Sequence, residues 1–387
     1  MTDDANRATS LAIGGFIAMA AAMGIGRFVY TPILPFMAEA IGLTKPQAGL
    51  IASANFLGYL LGALAAASPM LPGGKRGWFV AGLTGSALST AAMGLVSGMG
   101  AFLLLRLAGG IASAFVLVFS SALVLERLAA MGRPGLSSLH FAGVGAGIAL
   151  SALMIAALEA AGMGWRAQWL ASGGLTLLAL LAALQLVPPG EATPPASSAA
   201  EPGRYDHRMI RLVLAYGLFG FGYVITATFI STIARSTPAL HAIEPLVWLA
   251  VGLAAAPSVA LWIMVGRRLG NEASYALASL TQAVAVALSV LDAGIPGILA
   301  AAILLGGTIM GLTALGLIQA RKLARGDPRR SLALMTAAFG LGQMIGPSFA
   351  GFAFHFTGSF RAPSLAAALA LVIAAALVGL PLRRHRF

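Results

Sequence analysis

The 387-residue chain has no cysteine, and only 9% of its residues are charged. The first absence excludes disulfides, thiolate metal sites and cysteine nucleophiles. The second excludes an ordinary soluble domain, in which about a quarter of residues are charged. Acids are the scarcest class, 12 against 24 Lys and Arg. They are Asp3, Asp4, Glu39, Glu126, Glu159, Glu191, Glu201, Asp206, Glu244, Glu272, Asp292 and Asp327. None falls in the middle of an apolar run, so readings that need a membrane carboxylate as proton or cation site lose weight. Histidines are scattered, no acids pair at metal-ligand spacing, and no glycine pair has a phosphate-loop context. No enzyme, metal centre or cofactor is expected.

Apolar residues are abundant instead: 59% of the chain, with a mean hydropathy of +0.91. A membrane span needs about 20 such residues. Twelve stretches qualify, near 10–37, 47–70, 78–97, 99–125, 136–160, 166–187, 209–234, 246–265, 273–291, 297–320, 331–356 and 363–382. Short connections leave no room for a soluble domain of 50 residues or more. The first stretch is too long for a signal-peptide core and reads as a retained span.

The net charge of +12 does not point to nucleic acid, because the basic residues sort by loop. With the N-terminus inside, 18 lie on the inner side and four on the outer, Lys45, Arg166, Arg235 and Arg361. That bias predicts an inner-membrane protein with both termini in the cytoplasm. Arg27 and Arg106 remain, both within spans.

Between spans six and seven, 188–207 is rich in Pro, Ala and Ser and reads as a linker. It separates an N-terminal half, 1–187, from a C-terminal half, 208–387. A repeat joins them. Gly24-Ile-Gly26-Arg27 matches Gly220-Phe-Gly222-Tyr223 at an interval of 196. At 197, Gly109-Gly110 matches Gly306-Gly307, and Gly143-Val-Gly145 matches Gly340-Leu-Gly342.

Twelve spans, a central linker and a parallel six-plus-six repeat resemble the major facilitator superfamily. Gly26-Arg27-Phe28, Ala215–Tyr223 and Gly342-Gln343-Met-Ile-Gly346-Pro347 resemble its YbfB/YjiJ branch. The fold implied is an all-α membrane protein of twelve transmembrane helices in two pseudo-symmetric six-helix halves. Arg106-Leu-Ala-Gly109-Gly110 is similar to the superfamily's fourth-helix motif. The basic turns Gly73–Gly77 and Gly266–Gly270 lack its usual acid, which removes the expected cytoplasmic charge latch. The glycines Gly143, Gly145 and Gly147 lack the Gly-Pro of the antiporter motif.

A permanently charged guanidinium within a span usually faces a cavity, a partner or a permeant. The resemblance implies that Arg27 and Arg106 face a central cavity, where like charges call for an anion between them. Guanidinium grips carboxylates through paired hydrogen bonds. At the repeat intervals Arg27 stands opposite Tyr223 and Arg106 opposite Ile303. The candidate substrate-binding residues are therefore Arg27, Arg106, Tyr30, Asn55, Tyr59, Tyr216, Tyr223, Thr226 and Gln343. The bland alternatives are gating or packing for Arg106, a structural pair with Glu39 or Glu159 for Arg27, and satisfied interhelical hydrogen bonds for the rest. Proton coupling would fall to the substrate's own acid group, His355 or His140, although lone histidines at helix ends are more often structural.

The expectation is a monomeric secondary transporter moving a small organic anion by alternating access, with the lipid bilayer as its other partner. The rivals are efflux of drugs or hydrophobic metabolites, and a non-transporting receptor or scaffold.

Overall fold

The computed structural model describes residues 2–68, 70–189, 206–292, 294–324 and 328–380. Most of the 188–207 linker, with Glu191 and Glu201, lies outside the described residues, as do Arg325, Asp327 and the basic residues Arg383, Arg384 and Arg386. Within the described residues the chain is helical, without strands.

Twelve long helices follow one another: α1 (Asn6–Ile41), α2 (Lys45–Ala67), α3 (Lys75–Met93), α4 (Met99–Ala130), α5 (Ser137–Ala160), α6 (Trp165–Leu186), α7 (His207–Ser236), α8 (Glu244–Leu269), α9 (Asn271–Leu291), α10 (Ile295–Leu323), α11 (Pro328–Thr357) and α12 (Arg361–Gly379). Eleven are long and apolar enough to cross a membrane. The exception is α3, expected at 78–97, whose hydropathy is lowered by Lys75 and Arg76 at its start and by Ser86, Ser89 and Thr90 within it. The last three are buried against neighbouring helices.

α1 is not continuous. It is α-helical to Met19, π-helical over Ala20–Ile25, a turn over residues 26–29, and α-helical again from Tyr30. The cause is local. Pro32 has no amide hydrogen to give to the Phe28 carbonyl, and the Thr31 amide takes that carbonyl instead, at 3.2 Å. The Arg27 carbonyl thereby loses its normal donor. Pro32 falls in the first turn of the new segment, where a missing amide hydrogen costs least.

The repeat is visible as packing. A methyl on Gly110 would overlap the Asn55 carbonyl, and one on Gly306 would overlap the Val251 carbonyl. The interval at both ends of that contact is 196, which corrects the 197 read from the glycine pairs. Arg106 then stands opposite Ala302, which is buried, and not Ile303, which lies on the outer surface. In α5 and α11 the register is 195: Gly145 abuts Ala256 as Gly340 abuts Leu60.

Contacts between the halves run along α2 with α11, α5 with α8 and, at the centre, α1 with α7. Gly252 lies against the Ala149 backbone, and Ser348 Oγ meets Ser53 Oγ at 2.8 Å. Thr31 donates to the Ala227 carbonyl at 2.7 Å, again an interval of 196. No comparable packing joins α4 to α10 or α11 among the described residues. The halves thus meet from mid-helix toward the far end, opposite the starts of α1 and α7.

Candidate functional site

The break in α1 presents Arg27 to the interface between the halves, where it is 3% exposed. Its Nη2 donates to Gln343 Oε1 of α11 at 2.7 Å. Gln343 in turn donates through Nε2 to the Tyr223 hydroxyl of α7. Arg27 and Tyr223, equivalent positions in the two halves, are therefore bridged by one amide. The guanidinium lies 3.9 Å from the Tyr59 ring centre and 4.9 Å from that of Phe56, within cation–π range. Arg27 Nε has no partner, and no ion pair to Arg27 occurs among the described residues. The acids weighed as its structural partners, Glu39 and Glu159, bind Arg235 instead.

Arg106 is held differently from Arg27, in the way the packing alternative describes. Its Nη1 donates to the Gly26 carbonyl at 3.1 Å and its Nη2 to the Arg27 carbonyl at 2.9 Å. The planar fork of guanidinium matches two successive carbonyls, and these are the carbonyls that the break leaves without helical donors. Arg106 secures the α1 break, with the Tyr30 and Trp169 rings on its flanks. It does not sit as a second free cation.

The remaining candidates divide. Tyr59, Tyr223 and Gln343 converge on Arg27. Tyr30 donates to the Ala48 carbonyl at 2.9 Å, and Asn55 to the Arg106 carbonyl at 2.9 Å, so both tie the N-terminal half together. Tyr216 reaches the Thr313 carbonyl at 3.4 Å and packs on Phe219 and Phe339, which also flank Tyr223. Thr226 is buried with its hydroxyl unpartnered. His140 is buried inside the N-terminal half beside Gly15, Val124 and Phe141, with neither ring nitrogen bonded. His355 is exposed at the far end of α11. Neither histidine joins the Arg27 constellation.

A cavity of about 10 Å³ lies between Arg27, Arg106, Tyr30, Thr31, Ala227 and Thr228. It barely admits one water. Phe28, Phe56 and Phe339 were not singled out from the sequence. Phe56 carries a signal in lying three residues before Tyr59, a helical spacing, and Phe28 in directly following Arg27.

Two six-helix halves related by a repeat, with polar groups meeting between them in mid-span, define a secondary transporter of the major facilitator type. The family described as "Uncharacterised MFS-type transporter YbfB" matches residues 19–379, and the chain belongs to it. Among solved structures, the nucleoside transporter NupG is similar at a TM-score of 0.71 and 17% identity, over 96% of this chain and 98% of that one. A point mutant of NupG gives 0.73 and 16%, over 94% and 98%. A bacterial homologue of the human lysosomal transporter Spinster, in an inward-facing and occupied conformation, gives 0.70 and 16%, over 96% and 95%. These likenesses establish the fold. No curated protein matches in sequence.

Proposed function

We propose that the chain carries a small organic anion of the carboxylate class across the inner membrane by alternating access, and that Arg27 is its anion-binding group. One observation carries this reading: a buried mid-span guanidinium that donates to a neutral amide oxygen, Gln343 Oε1 at 2.7 Å, and has no carboxylate paired with it among the described residues. A carboxylate taking that oxygen's place turns a neutral acceptor into a charged one, roughly doubling the strength of the bond. The whole Gln343 amide lies between Arg27 of one half and Tyr223 of the other, its oxygen on Arg27 and its nitrogen on Tyr223, so a carboxylate that displaces the amide would meet both. Neither histidine lies beside it, which favours the substrate's own acid group as the carrier of any coupled proton.

The basic residues cluster at the end of the molecule that holds the starts of α1 and α7, including Lys75, Arg76, Arg208, Arg211, Arg267, Arg268, Arg321 and Lys322. By the positive-inside rule that end is cytoplasmic. The packed far end and the lack of comparable α4–α10 packing among the described residues then favour a state open toward the cytoplasm.

The test is thermal shift of purified protein against a panel of carboxylates, neutral sugars, nucleosides and organic cations, since a ligand that binds the native state raises its Tm. Carboxylates are expected to raise Tm in the parent and not in Arg27→Gln. A response to neutral or cationic compounds alone contradicts the reading and favours efflux of such compounds.

A further inference from the structure

Away from Arg27, four ionisable side chains meet where the halves close at the far end. Arg235, in the last turn of α7, donates through Nε to Glu39 Oε1 at 3.0 Å and through Nη1 to Glu159 Oε1 at 2.9 Å. Its Nη1 also stands 3.8 Å from Glu244 Oε2, at the start of α8. The Phe36 ring lies 4.1 Å from the guanidinium. Glu39 and Glu159 belong to the N-terminal half, Arg235 and Glu244 to the C-terminal half. Both hydrogen bonds therefore cross between halves, while the contact with Glu244 stays within one.

Three carboxylates face one guanidinium, and they are not equally placed. The side chain of Glu39 is 62% exposed and that of Glu159 35%, whereas that of Glu244 is 3% exposed. Water shares the charge of the first two. Ionised Glu244 is desolvated, competes for Arg235 and repels both acids of the opposite half. The charged groups acting on it are Arg235 of α7, Glu159 of α5 and Glu39 of α1; Lys45 of α2 acts on Glu39, and His241, exposed, precedes it in sequence.

We infer that Glu244 is the proton-binding group of a latch that holds the far end shut. A proton from the far-side solution, bound at the Glu244 carboxylate, removes its repulsion of Glu39 and Glu159 and leaves Arg235 to those two acids. Loss of that proton returns an anion that draws Arg235 back into its own half and pushes the opposite acids away. The closed form is the one that binds the additional proton, so its population is greatest at low pH and falls as pH rises. This inference uses the alternating movement proposed above, but it is independent of an anionic substrate.

Because the chain has no cysteine, spin labels placed by Ala40→Cys and Ser236→Cys report the far end alone. Both positions are exposed and directly follow Glu39 and Arg235. Pulsed EPR distances are measured in lipid nanodiscs without ligand across a pH series. A short distance is expected to dominate at acid pH, with a longer one gaining as pH rises. Glu244→Gln and Glu244→Ala are expected to lose that response and keep the short distance at every pH; Glu244→Asp and His241→Gln are expected to retain it. A response that survives Glu244→Gln and Glu244→Ala unchanged, or no response in the parent, overturns the inference. A single distance even in Arg235→Ala contradicts the alternating movement instead.

Discussion

Glu39 and Arg235 are 196 positions apart in sequence and 3.0 Å apart in space. Thr31 and Ala227 share that interval and are hydrogen-bonded at 2.7 Å. A residue that touches its own repeat equivalent lies at the pseudo-twofold axis. The next pair along α1 and α7 is Arg27 and Tyr223, joined through Gln343. The axis therefore passes an ion pair, a hydroxyl contact and a buried cation in turn. In the alternating movement proposed above, opening of the far end would part the first two.

Closure of the far end also depends on the α5–α8 crossing, where Gly252 lies against the backbone of Ala149 and Gly145 against that of Ala256. Gly252→Val leaves the interior of each half unchanged but holds the two helices apart. Overpacking of this kind costs about 1–3 kcal/mol, so the closed population should fall roughly 5- to 150-fold relative to the open one. Reactivity of a cysteine at Ala40 toward an impermeant thiol reagent should rise accordingly.

Arg106→Ala should be a folding defect before it is a binding defect. It leaves the Gly26 and Arg27 carbonyls without donors, at about 1–3 kcal/mol for each buried group. Its Tm should drop well below that of Arg27→Gln. Arg106→Lys should recover only part of the loss, because one ammonium cannot reproduce the two-pronged geometry.

Gln343→Glu offers Arg27 a permanent carboxylate at the distance now held by the amide. If Arg27 is the anion site, this variant supplies its own ligand. Its Tm should rise above the parent's, and carboxylates should no longer shift it. A variant that keeps the full carboxylate response contradicts exchange at Gln343.

Much of this was legible in the sequence, with characteristic slips. Twelve spans and two halves followed from hydropathy and the repeat. The glycine pairs 109–110 and 306–307 match at either of two neighbouring intervals, and only packing against Asn55 and Val251 decides between them. Arg27 was conspicuous because no acid shares the middle of its span. Its partners Tyr59, Tyr223 and Gln343 lie on three helices whose approach no sequence spacing encodes. The sequence offers Arg106 as a cavity cation because depth along a helix says nothing about which carbonyls a neighbouring helix has freed; Pro32, a short way beyond Arg27, is the available sign. By its loop Arg235 bears only on topology, although an acid and a base at the repeat interval mark an axial ion pair.

The central claim is that the partner of Arg27 during transport is the substrate. The direct measurement is flux in proteoliposomes of a carboxylate that shifts the parent's Tm, for the parent, Arg27→Lys and Arg27→Gln, each shown to be folded by its melting transition. Loss of a hydrogen bond to a charged group is worth about 1.5–3 kcal/mol, so Arg27→Gln should weaken apparent affinity by about one to two orders of magnitude, with Arg27→Lys intermediate. Flux through Arg27→Gln at the parent's apparent affinity and rate would contradict the account.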